Sequence, residues 1–494
     1  MFVWVEYKTP TNYTINFSDR LKTINNLNLC PAPLYSLGRK AADCLKAVKN
    51  NRIGDLFGKN IIDMTDGLVT DPYWWEAAPP RHLPELPVSG TCDVAIIGAG
   101  YAGLSAAIVL ARAGRSVQVF DKQRPGEGAS SRNGGMASGN LKTSFGKMIE
   151  TLGLEEAVRL YGEGKVAREA LTDFLTTEKI ECDFQPVGRF VGAIRPSHFE
   201  AQAKEADILN KHLGINAEMI PKSEQHREIG SDLYHGGMLR PDIAGIHPAR
   251  LYDGLLEVAL KAGVTVHGET AVNGHNRVRD GFLIKTGHGP VTAKQLIVTT
   301  NGYTDNADRW LRRRLIPVAS RMIATEPLPP ETMARLMPKN RMLGETRKLF
   351  HYFRPSPDGT RILIGGREGG WGGSENDIAN GLKRDLAEIF PELASVAISH
   401  TWFGFVAFNM DFLPRLFEKD GVHYATGFCG SGVVWAWWIG SKLGFRLIGD
   451  ANADTHFAAR PPSALPFYTG TPWFLPAALI WYGLQDRFGG ASKR

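Results

Sequence analysis

Cysteine is scarce in this 494-residue chain. Five residues, Cys30, Cys44, Cys92, Cys182 and Cys429, are scattered without a C-x-x-C pair. An odd, sparse set argues against a disulfide framework and for reduced thiols in a cytoplasmic setting. No His/Cys group has zinc-ligand spacing, so no metal is expected. The net charge is only +6 and there is no long Lys/Arg tract, which excludes a nucleic-acid grip. The densest basic run, Arg312-Arg313-Arg314, reads as a solvated turn or as an anchor for an anionic substrate group. No secretory signal opens the chain, because Met1 to Tyr13 lacks a basic region followed by an apolar one. No uninterrupted apolar run is long enough to span a bilayer. Gly427 to Ile448 carries Lys442 and Arg446, and Leu465 to Leu484 is broken by Pro466, Pro472 and Pro476. The latter reads as a tail packed on the body, with peripheral contact to a membrane surface or an electron-accepting partner as the alternative. There is no internal repeat.

What the chain does have is a dinucleotide-binding unit. The apolar run Val94-Ala95-Ile96-Ile97 leads into Gly98-Ala99-Gly100-Tyr101-Ala102-Gly103 and an alanine-rich stretch ending at Ala113. Ser116 to Phe120 follows as a second strand, closed by Asp121 and Lys122. Strand, glycine turn, helix, strand and terminal carboxylate place a pyrophosphate at the positive end of the helix and a ribose against Asp121.

Beyond it, Phe145 to Lys179 has helical spacing and Arg189 to Ile194 alternates like an antiparallel strand. Val264–His267 and Lys294–Thr300 read as strands that rejoin the first sheet. Leu315–Thr325 and Leu349–Gly366 read as strands of a second sheet, and Leu382–Phe390 as a short helix. The fold class expected is α/β: a doubly wound nucleotide-binding domain interrupted by insertions that build a β-rich α+β domain. Residues 1–70 read as an extension of weak order, with Met64 as an alternative start. Residues 71–90 read as a linker pinned by Trp74 and Trp75, and 461–494 as the aromatic, proline-rich tail.

Four further segments carry a family resemblance: Gly-Ala-Ser-Ser-Arg-Asn-Gly-Gly at 128–135, Gly236-Gly237 through Gly245-Ile246-His247-Pro248, Thr299-Thr300-Asn301-Gly302-Tyr303, and Gly427-Phe428-Cys429-Gly430-Ser431-Gly432-Val433. In this order they resemble the FAD-dependent amine and amino-acid oxidoreductases related to D-amino acid oxidase, glycine oxidase and sarcosine oxidase. The look is closest to the γ-glutamylputrescine oxidoreductase type. The resemblance implies an FAD-binding domain made of 91–180, 244–305 and 405–460, and a substrate domain made of 181–243 and 306–404. It assigns Gly98, Gly100 and Gly103 to the pyrophosphate turn, and Ser130, Ser131 and Arg132 to the loop passing the flavin's phosphates and ring. Val272 falls where backbone groups meet adenine, and Gly302 where the adenosine side closes. Gly430, Ser431, Gly432 and Val433 fall where backbone N–H groups face the flavin's pyrimidine edge. Candidate substrate-wall residues are Tyr303, Tyr352, Trp402 and Phe403. His247 is a candidate base, or else a buried histidine bonded to backbone, and Arg321 and Arg354 are candidate carboxylate anchors.

Three departures bear on the substrate. Relatives acting on simple α-amino acids carry an arginine in a Gly-x-Arg-Pro segment, where this chain has Gly404-Phe405-Val406-Ala407. Sarcosine-type enzymes place His and Lys where this chain has Ser431 and Val434. Their covalent flavin uses a cysteine where this chain has Phe350-His351-Tyr352, so non-covalent FAD is expected, with His351 the residual candidate for a covalent link. The resemblance therefore implies an enzyme that oxidises the C–N bond of a substituted amine to an imine, which hydrolyses to an aldehyde, with reoxidation by O2. Two alternatives stay open: a dehydrogenase passing electrons to a quinone or protein acceptor, and a flavin-binding subunit without turnover.

Overall fold

A computed structural model of the chain describes residues 67–88, 90–367 and 375–488, all within one compact unit spanning 64–494. The extension expected over residues 1–70 lies almost entirely outside the described residues.

Val94, Ala95 and Ile96 are fully buried, as a continuous apolar run must be when both faces of a parallel sheet are covered. Their strand, Thr91–Ile97, sits between Val117–Phe120 and Gly289–Val298, parallel to both, with Ile97 opposite Phe120 and Val298. Thr265–His267 extends the sheet beyond Val117–Phe120, and Val422–Thr426 extends it beyond Gly289–Val298. Five parallel strands thus come from distant parts of the chain. An antiparallel excursion, Val272–Val278 and Gly281–Thr286, borders the same sheet.

The helix Tyr101–Arg112 covers one face of this sheet, and Gly432–Ile448 lies across it. The two helices approach until a Cβ at Gly440 would stand 2.2 Å from the Ala102 carbonyl. Trp435, Trp437 and Trp438 are buried there, so the apolar stretch at 427–448 is core. Among the described residues no helix is long and apolar enough to cross a membrane.

The second sheet has eight strands, with Ile398–Phe408 at one edge beside Ile316–Thr325, followed by Ile362–Gly366, Tyr352–Pro355, Met342–Glu345, Arg189–Gly192, Gly237–Arg240 and Glu218–Ile220. All neighbours are antiparallel except Met342–Glu345 with Arg189–Gly192. The strand Ile398–Phe408 runs through the division expected between 404 and 405. The helix expected at Leu382–Phe390 is longer, Glu375–Ile389, because its apolar positions continue N-terminally through Ile378 and Ala379. Helices Pro196–Leu213 and Pro248–Lys261, each entered through a proline in its first turn, had not been marked in the sequence.

The linker crosses the body and docks beside the 128–135 loop. Trp74 is fully buried and donates from Nε1 to the Asn133 carbonyl at 2.9 Å, and Trp75 Nε1 donates to Ser131 Oγ at 2.8 Å. The C-terminal helix, Leu475–Phe488, rests on the substrate side. Asp486 accepts the backbone N–H groups of Lys348 and Leu349 at 2.7 and 2.9 Å.

Candidate active site

A cavity of about 430 Å³ runs from the carboxyl ends of the parallel strands to the second sheet. Its nucleotide end is built by the first glycine turn. Gly98 has φ +103°, a left-handed value that admits glycine. A Cβ at Gly103 would lie 2.0 Å from the Gly98 carbonyl oxygen, so this position fixes how closely helix meets strand. Gly98 and Gly100 line the cavity, whereas Gly103 lies behind them. The helix starting at Tyr101 has no capping side chain at Gly100, although Ser130 Oγ accepts the Tyr101 N–H at 3.0 Å.

Asp121 ends the second strand with its side chain turned onto the turn. It accepts from Ala99 N at 2.9 Å and from Gln123 N at 3.1 Å. Burial pushes its carboxyl up, while those amides and the neighbouring Lys122 act in the opposite direction. An ionised carboxylate has about four acceptor sites, so two stay free for ribose hydroxyls. Lys122 bridges to the Tyr303 carbonyl at 3.3 Å and Asp305 at 3.1 Å, and Val272 completes this end of the lining.

The far end is built by the loop 427–431. Asn301 Oδ1 accepts from Gly427 N at 2.9 Å and Thr426 Oγ1 at 3.1 Å, tying the last parallel strand to the 299–303 turn. Gly430, Ser431, Gly432 and Val433 all line the cavity. The 17-residue helix they open has no side-chain cap, so its positive end faces the cavity. Arg132 lines the cavity while donating to the Phe403 carbonyl at 2.9 Å, and its Nε has no partner. These residues fit FAD: a pyrophosphate cradle only glycine can form, a carboxylate for the ribose, and an uncapped helix start for the pyrimidine edge.

Of the expected wall residues, Tyr303 and Tyr352 line the cavity. Tyr303 OH accepts from Phe405 N at 3.4 Å, and Tyr352 OH pairs with Ser320 Oγ at 2.9 Å. Burial pushes both phenols up, which keeps them protonated.

Several expectations are corrected. Trp402 is 2 % exposed and lies outside the cavity, packed with Trp74 and donating to the Arg132 carbonyl at 2.9 Å, because the linker docks against that part of its strand. Phe403 points elsewhere too, its ring carrying Arg321 at 5.8 Å, and neither residue lines the cavity. Of the two readings of His247, the buried, backbone-bonded one holds: it caps the helix Pro248–Lys261, its Nδ1 accepting from Arg250 N at 3.2 Å. Burial, then Arg250 and Arg354, push it down to about 4, and it does not reach the cavity. Arg354 is fully buried, its Nε and Nη1 donating to backbone carbonyls of Pro355, Gly135 and Ile246 while its Nη2 has no partner, and it does not line the cavity. Ser131 bonds Gly126 O and Trp75, and Gly302 packs under Phe405; neither lines the cavity. His351 faces away from it, held by Glu345 at 2.7 Å and Asp385 at 3.0 Å, which push it up to about 10 against the opposing effect of burial.

The sequence reading had not marked Lys142, Phe350, Arg367, Ser320 or Cys429 as site residues, yet all line the cavity. Cys429 stands in the 427–433 loop that carried the family resemblance. Its Sγ donates to the Gly427 carbonyl, and burial pushes the thiol up to about 12, so it holds no thiolate.

Residues 93–445 match the family described as DAO, FAD dependent oxidoreductase. The chain belongs to the DAO family of FAD-dependent oxidoreductases. It is 32% identical over 426 residues to the probable oxidoreductase OrdL of Rhizobium meliloti (strain 1021), covering 84% of this chain and 97% of that one. It is 30% identical over 409 residues to the γ-glutamylputrescine oxidoreductase of Escherichia coli (strain K12), covering 81% and 94%. Among solved structures, glycine oxidase from Geobacillus kaustophilus superposes with a TM-score of 0.61 at 20% identity, covering 76% of this chain and 99% of that one. Iminodiacetate oxidase from Chelativorans sp. BNC1 gives 0.61 at 21%, covering 75% and 100%. This DAO-family member is thus an FAD-dependent oxidoreductase acting on amines or amino acids.

Proposed function

We propose that this DAO-family enzyme oxidises the C–N bond of a substituted amine whose carboxylate, where it has one, is remote from the reacting carbon. The observation that carries this is Val406, which lines the cavity in place of the arginine that would grip an α-carboxylate. The likeness to a γ-glutamylputrescine oxidoreductase supports the same reading.

FAD, when bound, supplies the two-electron acceptor for the amine and passes those electrons on to O2. The protein binds, orients and dries the site. Gly98, Gly100 and Asp121 hold the adenosine diphosphate end, and the amides from Gly430 to Val433 provide fixed donors where negative charge develops. Tyr303, Tyr352, Phe350 and Phe405 form an apolar wall. Such a wall disfavours an ammonium and so favours the neutral amine that can release hydride. No side chain is required as a base if the amine arrives deprotonated. The imine product then hydrolyses to the aldehyde. The turned-away His351 and the protonated Cys429 support non-covalent FAD.

An anaerobic titration with a panel of amines tests this. Bleaching of the flavin by amines, but not by glycine or alanine, is the expected result. Bleaching by simple α-amino acids alone would overturn it, and a flavin that stays oxidised with every amine would favour a subunit without turnover. Peroxide yield in air, measured against dye reduction, separates the oxidase from a dehydrogenase.

A further inference from the structure

Lys142 and Arg367 are far apart in sequence but meet around one ring. Lys142 Nζ lies 5.1 Å from the centre of Phe350, and the Arg367 guanidinium lies 5.3 Å from the same centre and 4.7 Å from that of Phe408. Both line the cavity near Tyr352 and Cys429. Among the described residues neither has a hydrogen bond or ion pair to a carboxylate. The groups in electrostatic reach are Arg367 for Lys142, and Tyr352, Tyr482 and Cys429. Arg189 lines the same cavity, and its buried Nε has no partner.

Several other arginines of this protein do meet a carboxylate. Arg168 and Arg240 both reach Asp242, at 2.5 and 2.7 Å, and Arg347 reaches Glu345 at 3.1 Å. Lys142 is exposed at the cavity and Arg367 is partly buried, and each lies against an aromatic face where a carboxylate could have stood. Partial desolvation at the cavity and then the neighbouring Arg367 push the Lys142 ammonium down to about 8. Two cations with no acidic partner among the described residues therefore face one chamber.

We propose that Lys142 and Arg367 form the anion subsite of the substrate chamber, taking a carboxylate at the end of the amine remote from the reacting C–N bond. This rests on the amine reading above and narrows it to ω-amino acids and amines bearing an acyl group with a free carboxylate.

The test uses the flavin-loaded enzyme and two amines of equal chain length, 6-aminohexanoate and hexylamine. Wild type should prefer 6-aminohexanoate through KM. Lys142→Met and Arg367→Met should each cut that preference, as the ratio of kcat/KM values, by about tenfold or more, the size expected for one charge-assisted contact. Lys142→Arg and Arg367→Lys, which keep the charge, should retain most of it. Lys142→Gln stands in if the Met variant does not hold flavin. Hexanoate binding, read from the flavin's visible spectrum, should weaken in parallel, and hexanamide should not compete. Equal losses for both amines together with a weaker sulfite adduct would overturn the proposal, because the pair would then be acting on the flavin. Wild-type enzyme with no preference and no hexanoate binding would also overturn it. If neither amine bleaches the flavin while hexanoate binding still depends on Lys142 and Arg367, the amine reading fails and the anion subsite stands.

Discussion

Arg354 was a candidate substrate anchor in the sequence, and the structure makes it a brace for the flavin loop. Its Nη1 donates to Gly135 O at 2.7 Å and Ile246 O at 2.8 Å, and its Nε donates to Pro355 O at 3.1 Å. Trp74 covers it, the ring centre lying 5.5 Å from Cζ. Hydrogen bonds from a charged donor contribute ~1.5–3 kcal/mol each. Against this, burial pushes the guanidinium down to about 10. That depression corresponds to a cost of roughly 3 kcal/mol for keeping the group charged. Arg354→Met should therefore lose ~3–5 kcal/mol, the range found when one partner of a buried charged network is removed. Because Gly135 ends the 128–135 loop, FAD affinity should fall along with stability. Urea unfolding of the apoprotein and FAD titration would measure the two effects. Arg354→Lys, which keeps the charge but not the fork, should fall between. A variant with wild-type unfolding and FAD affinity, whose KM rose only for carboxylated amines, would refute the brace and restore the anchor.

Other perturbations follow from the same geometry. Gly103→Ala puts a Cβ 2.0 Å from Gly98 O and 2.9 Å from Thr299 Oγ1, so the helix must lift. We expect a cost of ~1–3 kcal/mol and FAD binding weakened at least tenfold, measured by calorimetry. The Lys142 ammonium, held down to about 8, is charged below that pH and neutral above it. The preference for 6-aminohexanoate over hexylamine should therefore decline as pH rises through about 8, and the ratio cancels the deprotonation common to both amines; a flat ratio from pH 7 to roughly 10 would count against it. Asp486→Ala removes the acceptor for Lys348 N and Leu349 N beside Phe350. Those two amides should exchange faster by hydrogen exchange, at a local cost of ~1–3 kcal/mol, with little change in global unfolding.

The nucleotide end of the site could be read from the sequence because it is local. Gly98 to Asp121 is one contiguous strand–turn–helix–strand unit, and its chemistry needs glycine where the backbone meets phosphate. The loop 427–433 was legible for the same reason, as a glycine-rich start to an apolar helix. The substrate end is a different case, because its residues are set by which strands happen to be neighbours. Trp402 stands on the same strand as Val406, and the alternation of a strand makes both equally good wall candidates. What separates them is Trp74, brought by the linker to fill the space over Trp402 and leave the space by Val406 open. No pattern around Trp402 encodes that. Lys142 and Arg367 were missed because each is an isolated cation in an unremarkable segment, and only the ring of Phe350 brings them together. A signal was present all the same: the loss of the arginine at 406 removes a positive charge that a carboxylated substrate needs. That charge had to reappear elsewhere on the chamber wall or the substrate had to lack the carboxylate, and two cations without acidic partners among the described residues favour the first.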